Sequence, residues 1–321
     1  MPYNKENFRR IAGEFANKRS RAEDDADLRR IDAERVIPEL RQIHLRLSES
    51  GLEIFESALS GKDPDIALAK IKNENTELRK RKTELLLSHG FPADYTEPKY
   101  ECSLCHDTGY SDGKMCKCMR KALTLAGIES SGLGGLVQTQ KFDTFSLDYY
   151  SGSDRESAGR NLGLLKDFAE SFSGKADPSW LLMGATGLGK THLSSSVAMR
   201  VIDRGFDVIY VTAGSLFSVF ERQRFGDGHA GDGSDDQFYY SDLLIIDDLG
   251  TEISNQFTLS CMYNVINSRI ISGKSTIINT NLTVDELRAR YADRITSRLF
   301  GEYRPLLFSG TDIRAQKLRN R

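Results

Sequence analysis

Gly184-Ala185-Thr186-Gly187-Leu188-Gly189-Lys190-Thr191 decides the reading of this chain. The octet fits the Walker A pattern in full, from its first glycine to the closing Lys-Thr. The apolar run Trp180–Met183 precedes it and a helical segment starting at Lys190 follows, which is the strand–loop–helix setting the pattern needs. Its glycines allow backbone N–H groups to wrap phosphates where side chains would block the approach. The following helix adds the positive end of its dipole. Lys190 is expected to reach the β- and γ-phosphates of a nucleotide, and Thr191 to bind Mg²⁺ through its hydroxyl.

A second stretch completes the site. Leu243-Leu244-Ile245-Ile246-Asp247-Asp248 is an apolar run ending in two carboxylates, the Walker B arrangement. A strand buried on both faces would deliver Asp247 to the Mg²⁺ shell at its carboxyl end. Asp248 would then polarise the attacking water, with Glu252 as a substitute just beyond the strand. Phosphoryl transfer also needs positive charge near the γ-phosphate. Asn281 ends a later apolar run and could orient water beside the carboxylates. Arg294 and Arg298 lie one helical turn apart and so share a face; they are candidate arginine fingers into a neighbour's site, which would tie hydrolysis to an ATP-dependent homo-oligomer. Arg314 is a candidate phosphate contact within the same subunit.

Around these motifs, apolar strand-like runs alternate with helical segments from about Lys141 almost to the end. The candidate strands are Trp180–Met183, Val208–Thr212, Leu243–Asp247, Ser275–Thr280 and Arg304–Phe308. Intervening helices imply a mostly parallel sheet covered on both faces. Thr283 and Glu286 form a capping box after the fourth strand. The Gly/Asp-rich stretch 226–236 has nothing apolar to bury and reads as a mobile loop.

The chain has 321 residues, with 39% hydrophobic and 28% charged residues and a formal net charge of −2. That composition is ordinary for a globular protein, and the charge balance argues against a protein that simply coats nucleic acid. DNA contact would need a local basic stripe, such as Arg79–Lys82 or Arg222 and Arg224. No apolar run approaches the ~20 residues of a membrane span. The polar N-terminus has no signal-peptide core, so a cytoplasmic location is expected.

Residues 5–90 are rich in Glu, Arg, Lys and Leu. Leu40, Ile43, Leu47, Ile54 and Ala58 keep helical spacing, as do Leu68, Ile71, Leu78 and Leu85. Asp63 can cap the second run, Pro64 opens it and Gly90 before Pro92 stops it. Asn75 and Lys82 interrupt its stripe, which favours a helical hairpin or small bundle over a long coiled coil. Four of the five cysteines crowd together: Cys102-x-x-Cys105 and Cys116-x-Cys118, with a turn-prone Asp107-Thr108-Gly109 between them. In a reducing compartment such a cluster reads as a metal site. Four thiolates suit a structural tetrahedral Zn²⁺, with His106 able to replace one. Cys261, far away, reads as packing.

Taken in order, the helical N-terminus, the cysteine cluster, Phe142-Asp143-Thr144-Phe145, GATGLGKTHL, LLIIDDLG and the Thr-Asn strand resemble bacterial replicative helicase loaders of the DnaC/DnaI type. Similar cores occur in DnaA initiators and in IstB-like ATPases that assist transposition. The resemblance is strong over 138–315 and general over 1–95. It implies an α/β fold: an AAA+ P-loop domain with a mostly parallel five-stranded sheet, preceded by a helical N-terminal domain with a small zinc-binding segment. The expected division is 1–95 helical and partner-binding, 96–125 the Cys₄ segment, 126–140 a linker and 141–321 the ATPase domain. The implied function is ATP-dependent loading of the replicative DNA helicase onto single-stranded DNA, with a transposase-assisting ATPase as the alternative. It also places Phe142 and Phe145 on the adenine side, and the helical lid that follows many such cores is expected to be reduced.

Overall fold

The computed structural model describes residues 5–60, 64–130, 134–225 and 235–319. They form two compact units, Glu14–Thr108 and a larger one built from residues up to Gly13 and from Gly109 on.

The smaller unit is helical. It contains most of α1 (Lys5–Val36), then α2 (Pro38–Ser60) and α3 (Pro64–Ser88). Pro38 separates the first two, because a proline disfavours helical backbone at the residue before it. Ala33, Ile37, Leu40, Ile43, Leu85 and Leu86 are buried together, with Leu47, Leu78, Phe91 and Tyr95 packed against them. The expected hairpin is therefore present as α2 against α3. The residues that interrupt its stripe are polar for a reason. Asn75 accepts a 2.9 Å hydrogen bond from the Ser50 hydroxyl, and Lys82 pairs with Glu97 at 2.6 Å. Gly90 takes φ +81° just past α3, as a helix stop requires. Asp63, the expected cap, lies outside the described residues.

In the larger unit a short hairpin, β1 (Tyr110–Ser111) and β2 (Lys114–Met115), is followed by α4 (Lys117–Ser130) and α5 (Gly134–Thr139). Of the stretch 126–140, expected as a linker, the described part is thus mostly helical, and Ile128 joins the main core. After two 3₁₀ turns, Phe142–Thr144 and Leu147–Tyr149, come α6 (Gly152–Ser171), β3 (Ser179–Met183), α7 (Lys190–Asp203), β4 (Val208–Thr212) and α8 (Ala213–Phe225). Next are α9 (Asp236–Tyr240), β5 (Leu243–Leu249), α10 (Gln256–Ile271), β6 (Ser275–Thr280), α11 (Val284–Arg290), α12 (Asp293–Glu302), β7 (Tyr303–Leu307) and α13 (Ile313–Arg319). Of the stretch expected as a mobile loop, residues 226–234 lie outside the described residues.

The last five strands form one parallel sheet in the order β4-β5-β6-β3-β7. Side chains alternate between two apolar layers. Trp180, Leu182, Leu243, Ile245 and Ile277 pack with Leu165 and Phe168 of α6 and with Leu193 and Val197 of α7. Leu181, Met183, Leu244, Ile246 and Ile278 pack with Phe217 of α8, Met262 and Val265 of α10 and Leu299 of α12. Burial on both faces explains why β3 and the start of β5 read as unbroken apolar runs rather than alternating ones, whereas the edge strand β7 leaves Arg304, Pro305 and Leu307 exposed. This is the parallel five-stranded sheet expected for the AAA+ domain. It brings the ends of β3, β5 and β6 together on one edge of the sheet.

Candidate functional site

The loop after β3 is shaped by close contacts from the C-terminal segment. Gly184 sits at φ +147°, where a Cβ would meet the Phe308 carbonyl oxygen at 2.2 Å. Gly187, at φ +80°, would place one 2.0 Å from the Asp312 carboxylate. The Ile313 N–H donates to the Gly187 carbonyl at 3.0 Å, and the Tyr150 hydroxyl to that of Leu188 at 2.9 Å. Lys190 opens α7 and is 6% exposed. Its ammonium donates to the carbonyls of Gly184 (2.5 Å) and Ala185 (2.8 Å) and to Asn281 Oδ1 (2.7 Å). Burial pushes its pKa down to about 8, against the pull of Asp247 and Asp248. Asn281 thus stands beside the lysine.

Asp247 is 3% exposed near the C-terminal end of β5. Its Oδ1 accepts from Thr191 Oγ1 at 3.3 Å, Asn279 Nδ2 at 2.9 Å and the Asp248 N–H at 3.0 Å; its Oδ2 accepts from the Tyr210 hydroxyl at 2.8 Å. A hydroxyl and a carboxylate this close are hard oxygen donors of the kind Mg²⁺ takes. The next residue is treated differently. Pairing of β5 with β6 shifts register between Ile246 and Leu249, and Asp248 adopts φ +54° on that irregularity, exposed beside the cleft. Burial and the charge on Asp247 raise its pKa, while Lys190 and Arg314 counter the rise. Glu252 faces elsewhere: its carboxylate accepts from the Gly250 N–H at 2.8 Å and from the Tyr291 hydroxyl. Glu252 is tied into its own loop, and Asp248 is the carboxylate presented to the cleft.

That cleft has a volume of about 390 Å³. Its walls away from the carboxylates include Phe145, Tyr149 and His192. Phe145 stands edge-on to the His192 ring at 5.3 Å, and burial lowers the His192 pKa. Phe142 is not in the lining; it packs against the core instead. Arg314 and Lys317 of α13 do line the cleft, and Lys317 lies 5.2 Å from the Tyr149 ring centre. Arg294 and Arg298 share a face as the spacing predicted, but that face lies on Tyr263 of α10, with cation–ring distances of 4.8 and 4.6 Å. Neither lines the cleft of its own chain. Sequence reading missed Lys317, Tyr210, Ser194 and Asn279. The signal for two of them was there, a hydroxyl in Val208–Thr212 and an amide in the otherwise apolar Ile277-Ile278-Asn279.

The four cysteines also converge. The sulfurs of Cys102, Cys105, Cys116 and Cys118 lie within 4.8 Å of one another. Zn–S bonds of ~2.3 Å in a tetrahedron put sulfurs about 3.8 Å apart, so the donor set fits Zn²⁺. His106 is not among these four; its ring rests against Tyr100 at 5.2 Å. Asp107 holds the first ligand's loop by accepting from the Glu101 and Cys102 N–H groups, both at 2.9 Å. Asp112 and Gly113, both at positive φ, turn the chain back so that Cys116 can close the set.

Residues 158–300 match the IstB-like ATP binding protein family. The matched residues run from within α6 into α12 and so include the loop, both carboxylates and Asn281. A relative outside that description is the replicative helicase loader DnaC of Escherichia coli (strain K12), 22% identical over 169 residues, or 53% of this chain and 66% of the relative. Another is a putative ATP-binding protein in an insertion sequence of Mycobacterium tuberculosis, 26% identical over 162 residues, 48% of this chain and 62% of the relative. This chain therefore spans somewhat under two thirds of the length of each of these two relatives. Among solved structures, a DnaC helicase loader aligns at 20% identity with a TM-score of 0.47, covering 54% of this chain and 99% of the other. DnaI aligns at 19% identity and 0.45, covering 55% and 92%. Among the described residues, no helix is long and apolar enough to cross a membrane.

Proposed function

We propose that this chain is an ATPase that loads a replicative DNA helicase onto single-stranded DNA. The observation that carries the reading is the joining of two things in one chain: a P-loop with both carboxylates beside it, and, ahead of it in the sequence, a run of helices followed by a four-thiol cluster. Lys190 would trade its carbonyl partners for the β- and γ-phosphates, and Thr191 with Asp247 would hold Mg²⁺. When bound, that ion neutralises phosphate charge. Asp248 would orient the attacking water, and Asn281 would hold the lysine beside it. Zn²⁺ on the four thiolates would be structural, since no coordination position remains open. ATP can bias only a state that it binds better than the alternative, so the grip on the helicase is expected to differ between ATP and ADP.

The second reading, an ATPase that assists a transposase, is supported by the IstB-like match and by the insertion-sequence relative. It would use the same nucleotide site. The basic runs give little support to DNA binding by simple charge. Arg81 pairs with Glu39, Lys82 with Glu97, and Arg224 lies over Phe257.

The test is size-exclusion chromatography with light scattering of the chain mixed with its host's replicative helicase. An Asp248→Asn variant, expected to bind ATP and cleave it at least a hundredfold more slowly, holds the ATP state. A complex that forms with ATP and is lost in a Cys102→Ser, Cys105→Ser variant supports the loader. No complex in either nucleotide state, from folded zinc-loaded protein, moves the assignment to the transposase accessory.

A further inference from the structure

Behind the metal-binding carboxylate lies a closed ring of four buried side chains. Tyr210 of β4 donates its hydroxyl to Asp247 Oδ2 at 2.8 Å. Ser194 of α7 lies 2.9 Å from that same hydroxyl. Asn279 of β6 donates Nδ2 to Ser194 Oγ at 2.8 Å and to Asp247 Oδ1 at 2.9 Å, which closes the ring. All four are nearly inaccessible: Tyr210 is 2% exposed, Ser194 0%, Asn279 1% and Asp247 3%.

The protons at the carboxylate can be assigned. A phenol has one hydrogen, and a carboxylate oxygen beside it is an acceptor. The Tyr210 hydrogen therefore points at Asp247, and Ser194 accepts from Asn279 while its own hydroxyl has two acceptors in reach, the Tyr210 oxygen at 2.9 Å and the Thr191 carbonyl at 3.2 Å. Both hydrogen bonds that reach the carboxylate within the ring are donated to it, by Tyr210 and Asn279. A reversed Asn279 amide would set oxygen against oxygen. The ring thus fixes the plane of the Asp247 carboxylate, leaving Oδ1 turned toward Thr191. Register supports this: Thr212, not Tyr210, pairs with Asp247 across the strands, so the tyrosine reaches forward by two residues to meet it.

We infer that Tyr210 is a positioning residue for the Mg²⁺ site, holding Asp247 through its hydroxyl while Ser194 ties the same ring to the phosphate-loop helix. The inference rests on the reading of Asp247 as the metal carboxylate. Groups one shell out from a metal commonly change its affinity 10- to 100-fold when removed.

Mn²⁺ binding to the full chain with ADP, read by electron paramagnetic resonance, tests it without relying on turnover. Tyr210→Phe keeps the ring volume and removes the hydroxyl; it is expected to weaken Mn²⁺ about tenfold or more. Affinity for a ribose-labelled fluorescent ADP in EDTA should stay within about twofold of wild type. Ser194→Ala, which removes the hydroxyl that links the phenol to Asn279, should weaken Mn²⁺ in the same direction, and it serves if Tyr210→Phe does not fold. Unchanged Mn²⁺ affinity in these variants overturns the inference, as does an equal loss of ADP affinity in EDTA, which would mean a distorted loop. Asp247→Asn separates the two claims: if it leaves Mn²⁺ affinity intact, the assignment of Asp247 itself fails.

Discussion

Lys190 is a buried cation whose partners are two carbonyls and an amide rather than a carboxylate, and its chemistry follows from that. Burial holds its pKa at about 8, well under the ordinary lysine value of 10.5. Phosphate oxygens beside the ammonium favour its charged form, so nucleotide binding should raise that pKa. Above pH 8 binding must then draw a proton from solvent. Nucleotide affinity is expected to be level below about pH 7 and to fall by up to about tenfold per unit above pH 8. The stability sign is the opposite. Between about 8 and 10.5 the unfolded chain holds the proton that the folded, nucleotide-free chain has lost, so this group's contribution to stability improves as pH rises. Fluorescent-ATP titrations from pH 6.5 to 9.5, beside a Lys190→Arg variant that keeps its charge throughout, read the first effect. An affinity that is constant or rising to pH 9.5 would remove Lys190 from the phosphate contact.

Among the elements, α10 carries a cation that no motif announces. Arg269 is fully buried. It donates to the carbonyls of Phe238 (2.9 Å), Ser241 (3.1 Å) and Ser275 (2.6 Å) and to Thr276 Oγ1 (2.9 Å). One guanidinium therefore satisfies the end of α9 and the start of β6, and its five donors in a rigid plane suit that task better than a lysine would. Arg269→Met should leave several buried acceptors unpaired, at ~1–3 kcal/mol each before relaxation. A total loss of about 3 kcal/mol or more in urea unfolding is expected, and a loss under ~1 kcal/mol would show that water reaches those carbonyls. Nothing in the sequence distinguished Arg269 from a surface arginine, because its role depends on a distant turn. The strands were another matter. Strands buried on both faces are rich in Val, Ile, Tyr and Thr, so Val208–Thr212 and Ser275–Thr280 were legible to the residue. The Thr283–Glu286 box was too, since both of its hydrogen bonds are local. The irregularity that presents Asp248 was not legible, because it arises from pairing with β6. Nor was the role of Tyr210, which depends on β4, β5, β6 and α7 meeting.

At the scale of the whole molecule, hydrolysis turns on which cation stands opposite the γ-phosphate. Within the chain, Arg314 and Lys317 line the cleft, while Arg294 and Arg298 lie on Tyr263 away from it. If the latter pair acts, it acts on a neighbouring copy. The two are not equivalent. Arg298 donates to Asn267 Oδ1 at 2.9 Å, to the Tyr263 hydroxyl at 3.0 Å and to the Arg294 carbonyl at 2.9 Å. Turning it outward would cost those bonds. Arg294 rests on the face of Tyr263, a contact of ~0.5–1 kcal/mol at an exposed site that a phosphate could easily outbid. Arg294 is therefore the expected finger and Arg298 the residue that braces Tyr263 beneath it. Arg294→Ala should cut the ATPase rate by 10³-fold or more, the scale of other arginine fingers, while nucleotide affinity is kept. Mixing Arg294→Ala with Lys190→Ala copies should then recover part of the rate. The first keeps an intact phosphate loop, the second keeps the arginine, and only a shared site can combine them. No recovery from a mixture that demonstrably co-assembles would mean that the finger is not supplied in trans, and the search would return to Arg314.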